Sequence, residues 1–257
     1  MKRPLSPLLT GARFSVLGAV LPGLTSSALA QSRVTSGGFD LTAQQGIAFD
    51  AAEGTYRATG EVQLVAGDWV VLADTVEARL GTDGRSVSSI EASGGVFVRS
   101  PQVTARCAVL TLRPDSGDVD LAGPGVVLQF DGSRLVTDGL LRLDTGAEHF
   151  TLDGAFVLQW GEIRLSAEGG SGALDAAQLA SIEASGSASL QGADWRAAAE
   201  RLRFDEAASK VWLDGAAVVQ QGDMVLSGAG LVYDLATGSL VLDGGAGGRI
   251  SGALGGQ

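Results

Sequence analysis

One histidine and one cysteine are all that this chain offers for imidazole or thiol chemistry. His149 follows Glu148 in a stretch that reads as a turn. Zinc sites need three or four ligands, and this residue has no His or Cys neighbour to supply them. It is also the one base that a serine or cysteine triad could use. We read it as a surface histidine. Cys107, being alone, forms no internal disulfide. Asp144-Thr145-Gly146 has the aspartic-protease tripeptide, but there is a single copy, and that chemistry needs two carboxylates sharing a proton. Its place suits a hairpin turn. Asp74 with Glu77 leaves a glycosidase pair open on paper, although carboxylates on the wet side of a strand are the blander reading. The glycine-rich stretch 244–248 lacks the following Lys and the strand–loop–helix setting of a phosphate loop. No acidic spacing fits an EF-hand or the calcium-binding nonapeptide. We expect no catalysis, no cofactor and no metal.

What the residues do support is a sheet. The chain has 257 residues, 45% of them hydrophobic, with 38 glycines and only 5% aromatics. A core can be built, and disorder from low hydrophobicity is not expected. Glycines recur at Gly60, Gly94, Gly123, Gly154, Gly186, Gly215 and Gly244, a spacing of 29 to 34 residues. A period of that size means one supersecondary unit stacked many times. Three short strands per repeat would give roughly sixteen to twenty strands in all. Turn sequences at Thr82-Asp83-Gly84, Asp115-Ser116-Gly117, Asp131-Gly132-Ser133 and Ala236-Thr237-Gly238 separate the apolar runs. Pro101, Pro114 and Pro124 all lie in or beside such breaks, as strand interiors require.

Residues 1–30 read as an export signal. Lys2, Arg3 and Arg13 precede or enter an apolar run from Phe14 to Leu24, and Ala28-Leu29-Ala30 fits the small-x-small cleavage rule. Cleavage after Ala30 is expected. It takes the net charge from −11 to −14, because that segment holds three bases and no acids. So acidic a chain repels nucleic-acid backbones, which removes nucleic acid as a partner. Residues 31–38 read as a polar lead, 39–254 as one all-β domain without a linker, and 255–257 as a tail. Residues 193–203 have helical propensity taken alone, yet the repeat register places them over 68–80 and 223–233, so we assign strand. Residues 173–179 are a second weak point.

Within the runs, apolar and polar residues alternate with a period of two, the mark of strands with one dry face. The dry-face set is Val62, Leu64, Leu72, Leu80, Val96, Val98, Leu110, Leu112, Leu128, Phe130, Leu143, Leu158, Leu202, Phe204, Met224, Leu226, Tyr233 and Leu235. Glu77, Arg79 and Arg203 fall on the wet face. Trp69, Trp160, Trp195 and Trp212 occupy strand positions; ordinary packing explains each, while together they could line a lipid-binding groove. The sequences around Leu41 and around Leu240 and Leu242 are plain β-formers with neither Pro nor Lys, the devices that usually blunt an edge strand.

The repeat resembles the OstA/LptA family, periplasmic bridge proteins of lipopolysaccharide transport. The likeness is carried by residues 58–64, residues 72–78 and, most fully, residues 213–238, where Asp223 to Gly238 follow the second half of the family pattern with Gly228-Ala229-Gly230 in place of Ala-Asp. It spans about Thr42 to Ile250. The resemblance implies an open, twisted, V-shaped antiparallel β-jellyroll whose apolar interior receives the acyl chains of lipopolysaccharide or a related glycolipid. The dry-face set above would line that groove. Leu41, Leu240 and Leu242 would lie on end strands that add to related jellyroll domains of inner- and outer-membrane transport components, or to further copies head to tail. The mature chain is longer than compact members of the family, and its repeats between Gly154 and Gly186 are degenerate. The competing reading is a structural β-solenoid or cell-surface protein with a solid core and no lipid cargo.

Overall fold

A computed structural model describes residues 32–36, 39–84, 86–243 and 251–253, and every regular element among them is a β-strand. The chain opens with β1 (Ser32–Ser36), β2 (Phe39–Ala43) and β3 (Gly46–Asp50). Four long strands follow: β4 (Thr55–Ala66), β5 (Trp69–Leu80), β6 (Val87–Arg99) and β7 (Val103–Arg113). Then come eight shorter ones: β8 (Asp118–Ala122), β9 (Val126–Phe130), β10 (Ser133–Thr137), β11 (Leu140–Asp144), β12 (His149–Asp153), β13 (Phe156–Trp160), β14 (Ile163–Ala167) and β15 (Gly169–Asp175). Long strands return as β16 (Gln178–Gln191), β17 (Trp195–Asp205), β18 (Lys210–Gln221) and β19 (Met224–Asp234), before β20 (Ser239–Asp243) and β21 (Ser251–Ala253). Trp195–Asp205 is extended in spite of its helical propensity, because pairing on both sides outweighs a preference of tenths of a kcal/mol per residue.

The short strands are halves of long ones. β8 pairs with residues 109–113 of β7 and β9 with residues 103–106 of the same strand. The described residues therefore form an antiparallel meander of fourteen rungs, six of them divided in the middle, with β1 added beside β2 as a further half. One half of every rung builds arm one, which includes β2, β9, β10, β13, β14 and β21. The other half builds arm two, which includes β3, β8, β11, β12, β15 and β20. Mid-chain, the pairings close a ring of ten: β7–β8–β11–β12–β15–β16–β14–β13–β10–β9 and back to β7. Each repeat thus holds two bent rungs rather than three short strands.

The marker glycines are the corners. Gly60, Gly94, Gly186 and Gly215 have φ of +80°, +81°, +77° and +79°, and the residues after them, Glu61, Gly95, Ser187 and Ala216, are also left-handed. At each corner two residues oppose one on the next rung: 60–61 face Asp74, 94–95 face Ala108, 186–187 face Glu200 and 215–216 face Ala229. Such bulges bend a strand sharply. Gly123 and Gly154 stand where the divided rungs β8/β9 and β12/β13 break, at φ of +106° and +128°. Gly244 lies outside the described residues.

On the intervening rungs the alternation slips by one residue at the corner. Buried Val71 and Ala73 are followed by buried Val76 and Ala78, and Ala197 and Ala199 by Leu202 and Phe204. The inner faces of both arms then meet. Leu64, Leu135, Leu141, Leu158, Leu165 and Leu213 are fully buried between them. Buried Thr137, beside a corner, donates from Oγ1 to the Ala155 carbonyl at 2.7 Å and accepts from the Gly139 amide at 3.0 Å. The segment read as a polar lead contributes β1, which pairs along its whole length with β2. Residues 173–179 hold the end of β15, a two-residue turn and the start of β16.

A corner glycine is required both for its backbone angle and for space. A Cβ on Gly94 would stand 2.7 Å from the Cβ of Asp74, whereas one on Gly132 (φ +71°) would meet nothing within 4 Å. Gly132→Ala should therefore cost only the left-handed penalty, about 1 kcal/mol. Gly94→Ala should cost about 1–3 kcal/mol more, from crowding. Equal losses in chemical denaturation would show that the corner contact does not matter.

Candidate functional site

The hairpin tips of the two arms face each other across a mouth opposite the corners. There the arms touch through side chains. Trp160 of arm one stacks on Phe204 of arm two with ring centroids 5.3 Å apart, and Trp195 on Tyr233 at 4.8 Å. Between described residues, no hydrogen bond or ion pair links tips of opposite arms. Toward the middle of the chain the mouth stands open as a cleft of about 220 Å³. Trp69, Val103 and Phe130 form its arm-one wall and Leu143 and Leu174 its arm-two wall, with Glu148 and His149 at the lip. This cleft is where the filled interior reaches solvent.

Most of the dry-face set faces inward. Val62, Leu64, Val96, Val98, Leu110, Leu128, Phe130, Leu158, Leu202, Phe204 and Tyr233 are buried. Leu80, Leu112, Leu143 and Leu235 are half-buried against them. Leu226 pairs with buried Val219, and Met224, two residues earlier, shares its face. Leu72 is the exception. It is 40% exposed and pairs with Gln63 and Phe97 on the outside of arm one. The slip at Asp74 is the reason: alternation carried straight through the corner from Val76 puts Leu72 on the wrong face, where Val71 belongs inside. Sequence reading also missed Leu135, Leu141, Phe150 and Leu190, all buried. Their alternation was as good as that of the residues chosen.

Of the tryptophans, Trp69, Trp160 and Trp195 stand at arm-one tips, partly buried against the core. Trp212 lies on the outside of arm two, under the Arg203 guanidinium at 4.1 Å. Leu41 is not on an edge. Its strand is bonded to β4 on one side and β1 on the other, and the side chain is fully buried, because the supposed lead adds a strand beyond it. Among the described residues the edges at that end are β1 and β3, and β3 exposes half of Phe49. At the other end β20 is the edge of arm two among the described residues. Leu240 packs on the core there and Leu242 pairs through its backbone with Leu231, while Val241 is 61% exposed.

Of the residues weighed for chemistry, Asp144 and His149 are cross-strand partners beside the cleft, while Asp74, Glu77 and Cys107 lie on other rungs. Asp144 Oδ1 accepts from the amides of Gly146 and Ala147 at 2.9 and 2.8 Å, a turn cap. Glu77 pairs with Arg57 at 2.6 Å on the charged outside of arm two. Among the described residues no three of His, Cys, Asp and Glu gather closely enough to hold a metal.

Residues 141–239 match the family model described as "LptA/(LptD N-terminal domain) LPS transport protein". No curated protein matches the sequence. A solved structure that does match is LptH from Pseudomonas aeruginosa, described as the LptA-homologous periplasmic component of the conserved lipopolysaccharide transport device. It is 17% identical, covers 48% of this chain and 95% of its own, and superposes with a TM-score of 0.44.

Cys107 sits on β7 one residue before a corner, and burial is the main cause that raises its thiol pKa from 9.0 to about 11, an Ala122 backbone hydrogen bond opposing it. The folded protein should resist maleimide at pH 8 and react fully in denaturant. The folded thiol keeps its proton to higher pH than the unfolded one. Its contribution to stability is therefore complete below about pH 9 and lost as pH rises through about 11. Cys107→Ala should flatten that fall. Rapid labelling of the folded chain would contradict the burial.

Proposed function

We propose, for a chain that is OstA/LptA-like over residues 141–239, that the two arms form a clamp for the acyl chains of lipopolysaccharide or a related glycolipid. The protein would serve as one span of an apolar path between inner and outer membranes. The observation that carries the reading is the asymmetry of the interior: continuous backbone holds the arms at the corners, and side-chain contacts alone hold them at the mouth. An aromatic pair is worth about 0.5–1.5 kcal/mol beyond its buried area. Each acyl methylene moved out of water contributes about 0.8 kcal/mol. Two or three methylenes therefore offset the parting of one latch, and the apolar walls trade contact with each other for contact with the chain. Export with cleavage after Ala30 belongs to this reading; residues 1–31 lie outside the described residues.

One observation favours the solenoid alternative: most of the interior is filled, down to complete burial of Leu135 and Leu158. Photo-crosslinking separates the two. Reactive groups at Phe130, Leu143 or Phe204 should capture lipid, while groups at Glu77, Arg79 or Arg203 should not. Equal capture from both sets, or failure of the delipidated protein to take up a fluorescent acyl probe, would favour a solid core.

Assembly through the ends is the second part of the proposal. An open edge adds a partner's strand by backbone hydrogen bonds, and β20 offers such an edge with exposed Val241. Val241→Pro removes an amide from that edge and should abolish oligomers or partner binding while leaving the monomer folded. Light scattering that shows a monomer at all concentrations, together with no partner captured by crosslinkers at Leu240 or Leu242, would remove this part.

A further inference from the structure

The loops that rim the mouth are acidic on both sides. Among the described residues arm one has six hairpin loops, and five of them carry Asp68, Asp131, Glu162, Asp194 or Asp223, all exposed. No hydrogen bond or ion pair among the described residues ties these five down. Arm two has seven loops, and five carry Glu53, Asp83, Asp115, Glu148 or Glu206, also exposed. Arg85, outside the described residues, is the one base in any of these loop sequences. Arg99, Arg134, Arg164 and Arg196 come near the arm-one tips and Lys210 near an arm-two tip, but each follows or precedes a buried inward residue (Val98, Leu135, Leu165, Ala197 and Val211) and so points to the outer face. The bases lie on the outer strand faces, while these acids stand in the loops that rim the mouth.

We propose that the mouth sorts amphiphiles by head-group charge. It admits acylated lipids whose heads are uncharged, cationic or neutralised by divalent cations, and it disfavours bare phosphate-bearing heads. The inference rests on the reading of the space between the arms as an acyl-chain site. The physical reason is position. Chains inserted between the arms leave the head at the rim, between two rows of carboxylates. Charges within a Debye length, about 8 Å at physiological salt, are not screened away there. Low-dielectric walls on both sides keep the field in the gap. The field already acts across the mouth: burial first, and then the charge of Asp194 on arm one, raise the pKa of the Tyr233 hydroxyl on arm two. A site built for bare phosphates would place arginine forks at that level, and here they stand on the far side of the sheet.

The test uses the full mature chain, delipidated, and competition against an uncharged fluorescent acyl probe. The competitors are diphosphoryl lipid A and the same lipid with both phosphates removed, each in EDTA and in magnesium at matched ionic strength. In EDTA the dephosphorylated lipid should compete at least tenfold better. Magnesium should close most of that gap. The triple change Asp131→Asn, Glu162→Gln and Asp194→Asn should narrow it several-fold in EDTA while leaving probe affinity unchanged; Asn keeps the left-handed turn at position 131. Equal competition by the two lipids in EDTA, or a gap that the triple variant leaves intact, overturns the charge rule and leaves the acyl-chain reading standing. If neither lipid nor probe binds, the acyl-chain reading fails and the charge rule falls with it.

Discussion

Two arms of one meander can bury a shared apolar face only because the rungs turn at their midpoints, and every second rung does so through a glycine in left-handed backbone. The bulge that follows lets two residues oppose one, which bends the strand without ending the ladder on either side. Everything else is placed by that corner. It sets the repeat length at two rungs and gathers the leucines of both arms into one core. It also sends every hairpin loop to the same side of the molecule, opposite the bend. The same angles at Gly60 and Gly94 as at Gly186 and Gly215 extend one architecture beyond the residues 141–239 that carry the family match.

The consequence is a molecule with a strong side and a weak side. Backbone continuity and ladder hydrogen bonds run through β7 and β16 from one arm to the other. The mouth is held by Trp160 on Phe204, by Trp195 on Tyr233 and by the packing beneath them. A clamp needs this difference. Its vertex must survive when its lips part, and the groups at the lips must find equally good apolar contact with whatever enters. The exposed ion pairs on the outside of arm two, such as Arg113 with Asp120 at 3.2 Å, add at most about 1 kcal/mol each and serve solubility more than shape.

Alternation made the inner face of each half-strand legible, because a period of two survives in a sheet whether or not its partners are known. It failed where the chain turns. Alternation with Val76, Ala78 and Leu80 points Leu72 inward, and nothing in Leu72-Ala73-Asp74-Thr75 announces a slip at Asp74. The marker glycines were visible as a period, but a period does not say whether its glycine is a loop or a corner. Pairing across the chain, which no local pattern encodes, turned residues 32–36 into a strand and moved Leu41 inward. The acids of the rim were each visible as an unremarkable turn residue. Only the topology lines them up along two facing rows.

The claim that the two arms are a clamp is tested most directly by the distance between their tips. Spin labels at Gln102→Cys on arm one and Ala147→Cys on arm two, in a chain where Cys107 is replaced by Ala, span the cleft. Double electron–electron resonance should show a single short distance in the delipidated protein. Lipid loading should shift it to a longer distance, while a control pair within arm one stays fixed. A tip-to-tip distance that does not change when lipid is bound would contradict the account.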